Sequence, residues 1–260
     1  MYLPTLKVEK IDPRDNVRII TNYLSKEKQA NTTRPFYAKT VSLYPELAGV
    51  SAVEDRGTRE ALIRDVVLNR LNENDREIRQ RIAHFSEVFD TFIYKNIEAQ
   101  CRLLDYEWSR EYPVIRCFVG YIPFYPRNTE EKCFFVSYHD EERVFSAAPH
   151  EINHMIFYEK WKQLHGVGCK PPSWPDPLWY LEEIVVDPIL HDESVAPYML
   201  YDNRAYPEFY VPDQNDGTSV MDRVKACYRD HKNDIDAFID EAYKIVSAKY
   251  AGHENTGGRK

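Results

Sequence analysis

From residue 58 onward the apolar positions of this chain fall three and four apart. Leu62, Ile63, Val66, Val67 and Leu71 form one such series, and Ile78, Ile82, Phe85, Val88, Phe89, Phe92 and Ile93 form a second. That spacing marks one face of an α-helix. It predicts two helices separated at Asn72–Asp75, the second running to about Asp105. The period then shortens. Pro113–Ile122 and Lys132–Tyr138 are rich in β-branched and aromatic residues and bounded by turn formers, which predicts two strands with a loop at Pro123–Glu131. Residues 1–57 hold no sustained period and carry scattered prolines (Pro4, Pro13, Pro35, Pro45), so they read as an extended arm with room for one short strand at Val17–Tyr23.

After the second strand, helix punctuation returns. Ser146 is a candidate N-cap, which places Pro149 at N3, where a missing N–H breaks no intrahelical bond. Ile152, Met155 and Ile156 carry the helix on to about His165, and Gly166 is a natural stop. A proline-rich loop, Gly166–Pro175, leads to Asp176-Pro177, a cap and N1 pair that opens a helix over Leu178–Asp187, ended or kinked by Pro188. A loop through Pro197, Pro207 and Pro212 precedes helices near Ser219–Tyr228 and Ile235–Tyr250. The expected organisation is an arm at 1–57, a single α+β domain at 58–250 and a flexible tail at 251–260.

Composition narrows the class. With 43% hydrophobic and 29% charged residues, the chain is globular rather than disordered. A net charge of -8 argues against nucleic acid or an anionic membrane as partner. No window has the length and apolarity of a signal or membrane-spanning segment, so the expected location is the cytoplasm. The five cysteines are odd in number and form no C-x-x-C pair, which fits reduced thiols. Asn31-Thr32-Thr33 has the form of a glycosylation acceptor and means little without a secretion signal.

The chemistry centres on HEINH, residues 150–154. Four residues apart on a helix, His150 and His154 leave the same face and can share one metal ion. Glu151 can reach water at that ion without ligating it. This is the division of labour of a hydrolytic zinc site: neutral nitrogens on the metal and a carboxylate as general base. Taken alone, the three residues would read as a polar stripe on an amphipathic helix. A catalytic zinc needs a third protein ligand. The histidine-completed metzincin pattern fails, because Phe157 and Lys160 stand where it requires glycine and histidine. The following helix reads Trp179-Tyr-Leu-Glu-Glu-Ile-Val-Val-Asp187. There Glu183 can ligate, while Asp187, one turn on, accepts the other ring N–H of His150. Glu182 is the rival ligand, on a neighbouring face.

HEINH followed by EIVVD resembles the gluzincin clan of zinc metallopeptidases, whose sites pair H-E-x-x-H with E-x-x-x-D. The resemblance spans roughly Pro113–Pro188. It implies a zincin-like fold with a small mixed sheet, in which the strand before the histidine helix, here Lys132–Tyr138, is an edge strand on which an extended peptide docks. The interval from His154 to Glu183 is longer than in thermolysin-like members, so the proline-rich loop reads as an insertion beside the site. The resemblance also implies Zn2+ as cofactor, hydrolysis of a peptide or protein substrate with Glu151 as general base, and a second oxyanion donor from the region after the glutamate helix. Candidates for that donor are Tyr201, Tyr206, Tyr210, His191 and His231. The rival expectation is a regulatory or binding protein on the same scaffold, with hydrolysis lost or confined to one partner. Oligomeric state is not legible in the sequence.

Overall fold

Thr5–Lys10 (β1) alternates Leu6 and Val8 with Lys7 and Glu9, the two-residue period of a strand. The structure, a computed structural model that describes residues 1–25 and 36–250, sets this strand parallel to Val114–Gly120 (β2), with Thr5 opposite Val114 and Lys10 opposite Val119. Asp12 then caps Pro13–Leu24 (α1): its carboxylate accepts from the Arg14 N–H at 2.8 Å, and Pro13 occupies N1. The extended arm expected at 1–57 is therefore overturned, and so is its short strand at Val17–Tyr23, which lies inside α1. The run Val17, Ile19, Ile20, Leu24 suits either period over so short a window. The Asp-Pro cap decides for helix, and Ile19, Ile20 and Leu24 are its buried face. Phe36–Leu43 (α2) and two short 3-10 turns complete the segment. The tail at 251–260 and Asn31-Thr32-Thr33 lie outside the described residues.

The two predicted helices follow as Arg56–Glu73 (α3) and Asp75–Leu103 (α4). β2, Arg127–Asn128 (β3) and Cys133–Ser137 (β4) complete a mixed α+β architecture whose sheet order is β1-β2-β4-β3. β2 and β4 run parallel, β3 and β4 antiparallel. This corrects the expected edge strand. β4 is flanked on both sides, and the edge beside the site is β3, two residues long and inside the segment read as a loop. Two residues are too few to show a period.

Glu141–His165 (α5) begins earlier than expected. Asp140 is its cap, accepting from the Arg143 N–H at 3.2 Å, and Glu141 and Glu142 stand in the first turn where the helix dipole favours them. Ser146 is thus not the cap but a buried residue within the helix, and Pro149 lies in the interior. The early start seats α5 on α4, because Phe145 meets Phe85, Phe89 and Phe92 edge-on at centroid distances of 5.5, 5.2 and 6.3 Å. A buried amide ladder continues the seam: Gln100 of α4 donates to the Pro149 carbonyl at 3.1 Å and accepts from the Asn153 side chain at 2.8 Å. Pro177–Leu190 (α6) opens on Asp176 and Pro177 as predicted and passes through Pro188. Val220–Asp230 (α7), entered through a Ser219–Asp222 capping box, and Ile235–Tyr250 (α8) close the fold. Among the described residues no helix is long and apolar enough to cross a membrane.

One tight contact ties the N-terminal segment to the sheet. The Asn16 amide of α1 is fully buried; it accepts from the Tyr121 N–H and donates to the Tyr121 carbonyl, both at 3.1 Å, just past the end of β2. A Cβ at Gly120 would lie 2.7 Å from Asn16 Oδ1 and 2.8 Å from Ile11 Cγ2. Gly120→Ala should therefore lower the unfolding free energy by about 1–3 kcal/mol, the usual cost of overpacking. Urea denaturation checks this, and an unchanged midpoint would show that α1 is not held there.

Candidate metal centre

HEINH falls in the middle of α5, where both histidines and Glu151 are positioned by a helix packed against α4 and α6. Helical spacing brings the two imidazoles to 4.6 Å between ring centroids. α6 presents Glu183 to them. His150 Nε2 is 3.6 Å and His154 Nε2 is 3.8 Å from Glu183 Oε2. One ligand atom from each of His150, His154 and Glu183 lies within 4.8 Å of the others, so the group can hold a metal ion. Glu183, the preferred ligand of the two neighbouring glutamates, joins both histidines. Glu182 approaches only the other nitrogen of His154, at 3.6 Å.

The orientation of His150 is set from outside its helix. Its Nδ1 is 2.7 Å from Asn203 Oδ1, and the Asn203 amide nitrogen donates to the Ser146 carbonyl at 3.0 Å. The second bond identifies the Asn203 oxygen as the acceptor, so Nδ1 donates to it and Nε2 is the nitrogen that faces Glu183. The role expected of Asp187 thus belongs to Asn203. Asp187 points elsewhere: it accepts from the Tyr210 hydroxyl, pairs with Lys225 Nζ at 2.5 Å and lies 3.5 Å from His191 Nδ1. An acid one turn beyond Glu183 shares its side of α6 only approximately, and α7 supplies a cation that captures it.

Sequence reasoning missed Arg127. From β3 its guanidinium reaches Glu151 Oε2 at 3.5 Å and Glu183 Oε1 at 3.3 Å, and it bonds Glu182. Glu151, Glu182 and Glu183 are 5%, 1% and 2% exposed, so three buried carboxylates face one half-buried cation. Burying charge without compensation is costly, and a divalent cation would offset the excess. His154 makes the same point with uncharged atoms. It is 0% exposed, and neither ring nitrogen has a hydrogen-bond partner; a metal ion would satisfy Nε2, the one that faces Glu183.

The electrostatics agree. Burial drives His154 well below the ordinary imidazole value, with Arg127 adding to the shift, so it stays neutral. Burial alone would lower His150 as well, but Glu183, Glu151 and Asn203 raise it above the ordinary value. Burial raises Glu151, against the lowering effect of Arg127. Burial raises Glu182 too, again opposed by Arg127.

Most of the expected oxyanion donors lie away from the cluster. Tyr210 and His191 are engaged by Asp187, and His191 also by Asp202 at 2.7 Å. His231 ends α7, and Tyr201 makes no hydrogen bond or ring contact among the described residues. Tyr206 stacks over Trp179 at 6.2 Å and is close enough to act on the charge of Arg127. A further phenol, Tyr23 of α1, feels both Glu151 and Arg127. No sequence signal could have found it while its segment was read as an arm. Compared with known proteins, the chain matches no family model, no curated protein and no solved structure.

Two outcomes follow. Arg127→Met leaves three buried carboxylates uncompensated and should cost the metal-free protein about 3–5 kcal/mol. Urea unfolding with a chelator measures this, and saturating Zn2+ should stabilise the variant more than the wild type; equal stabilisation would show that ion and guanidinium do not compensate the same charges. Protons compete with a metal ion for this group, since the pKa values of His150, Glu151 and Glu182 are all raised, so affinity should fall as pH falls. Calorimetry in buffers of different ionisation enthalpy would show the proton release, and buffer-independent heats would refute it.

Proposed function

We propose that the protein is a zinc-dependent peptidase of the gluzincin type, on a zincin-like scaffold. The observation that carries this reading is the convergence of His150, His154 and Glu183, from two helices, with Glu151 beside them. Two imidazoles and one carboxylate are the ligand set of a hydrolytic zinc site with an open position. A structural site would tend to close with a fourth ligand and would have no use for Glu151.

Bound at these three residues, Zn2+ would supply Lewis acidity, polarising a carbonyl and making water acidic near neutral pH. The chain's own groups do the rest. Glu151 takes the proton from the attacking water and returns it to the leaving amine. Its raised pKa brings it nearer the working pH, where such transfer is most effective. Asn203 holds the His150 ring with Nε2 free to ligate. Arg127 tethers Glu151 and Glu183 from the sheet edge. The candidates for a hydrogen-bond donor to the developing oxyanion are Tyr206, coupled electrostatically to Arg127, and Tyr23, coupled to Glu151 and Arg127.

One observation favours a second reading. Glu151 is only 5% exposed and is tethered by a guanidinium, as suits a regulatory or partner-specific protein whose centre opens only when a partner engages it. Glu151→Gln separates the two. As a peptidase, the variant should lose about 10²–10⁴-fold in hydrolysis of a peptide library while still binding about one Zn2+ per chain. Equal behaviour of wild type and variant in that library would overturn the catalytic reading.

A further inference from the structure

Beside the candidate centre lies a cavity of about 1310 Å3, bordered by α1, the sheet with its edge strand β3, α6 and the proline-rich loop. It is larger than the roughly 300–1,000 Å3 of ordinary small-molecule pockets, a size suited to several residues of polypeptide. Arg127 and Glu182 belong both to its wall and to the charged group around His154, so cavity and centre share a partition.

Two properties of the wall describe an occupant. First, it is aromatic. Tyr23 and Phe36 stack at 5.2 Å on one side, while Trp174, Trp179 and Tyr180 stand on the other, and Trp174 is 58% exposed at the proline-rich loop. Aromatic faces attract cations as well as apolar chains. Second, it is acidic. Among the described residues Asp15, Glu130, Glu131 and Glu182 line the cavity with two arginines. Both arginines are already engaged, Arg18 by Asp15 at 2.9 Å and Arg127 by Glu182. Glu130 and Glu131 are exposed and form no ion pair among the described residues.

We infer that this cavity is a specificity subsite for a polypeptide substrate and that it selects a lysine or arginine side chain near the scissile bond. The inference rests on the reading that the centre acts on polypeptides. The aliphatic stem of such a side chain lies along the aromatic wall, and its charged head meets Glu130 and Glu131 at the rim. An acidic side chain meets uncompensated like charge there, and a neutral one gains only the apolar contact.

The test measures binding rather than turnover. Tryptophan fluorescence, with Trp174 and Trp179 as reporters in the cavity, is titrated with hexapeptides carrying a central lysine, norleucine or glutamate. The Glu151→Gln protein, loaded with Zn2+, is used so that nothing is cut. Lysine should bind about tenfold tighter than norleucine, with glutamate weakest, and the lysine advantage should shrink as salt rises. Adding Glu130→Gln and Glu131→Gln, two exposed substitutions with little effect on folding, should bring the lysine-to-norleucine ratio close to one. Equal binding of the three peptides, or a ratio unmoved by the double substitution, overturns the inference. If wild-type protein cuts no peptide yet keeps the lysine preference, the peptidase reading fails and the cavity stands as a lysine-selective peptide-binding site without a scissile bond. If it cuts peptides without regard to lysine, the reverse holds.

Discussion

Three carboxylates buried around a single guanidinium dominate the energetics of this protein. Glu151, Glu182 and Glu183 leave water on two helices, and Arg127, reaching in from a two-residue strand, is the arginine that pairs with all three. Such an arrangement persists in a low-dielectric interior only if charge is balanced by pairing, protonation or a bound cation. All three routes bear on the same atoms. The raised pKa values of Glu151 and Glu182, the Arg127 pairs and the capacity of His150, His154 and Glu183 to hold an ion are different answers to one excess of negative charge.

How much of this was legible in sequence depended on how far apart the interacting residues were. Within a helix, spacing is geometry, so the His150–His154 pair could be read directly, and the Asp176-Pro177 start of α6 likewise. Across two helices, Glu183 was still recoverable because a third ligand has few places to come from. Beyond that range the reading weakened. Asp187 has the right chemistry at the right interval, yet Lys225 and Tyr210 capture it, and the amide that orients His150 comes from a loop. Arg127 was invisible because its strand is too short for a period and an arginine in a loop carries no signal of burial.

The N-terminal segment shows a different limit. Its strand was present in the alternation of Leu6 and Val8 with charged neighbours, and its helix in Asp12-Pro13, but both are short and punctuated by prolines. Each signal is weak alone. Their consequence is large, because α1 brings Tyr23 to the wall of the cavity and within the field of Glu151. A stretch that looked like a wrapping around the domain is part of the cavity wall beside the candidate centre.

Asn203 adds a constraint in time. The residue that fixes the His150 ring stands 53 positions further along the chain, in a segment without regular structure. During synthesis both histidines, Glu151 and Glu183 leave the ribosome before it does. Until Asn203 arrives, the Ser146 carbonyl lacks this donor and the imidazole beside it is free to take either tautomer. The nascent chain can therefore carry His150, Glu151, His154 and Glu183 without yet holding the first ring as it stands in the folded protein. The final arrangement of the cluster is deferred to the moment when the loop docks.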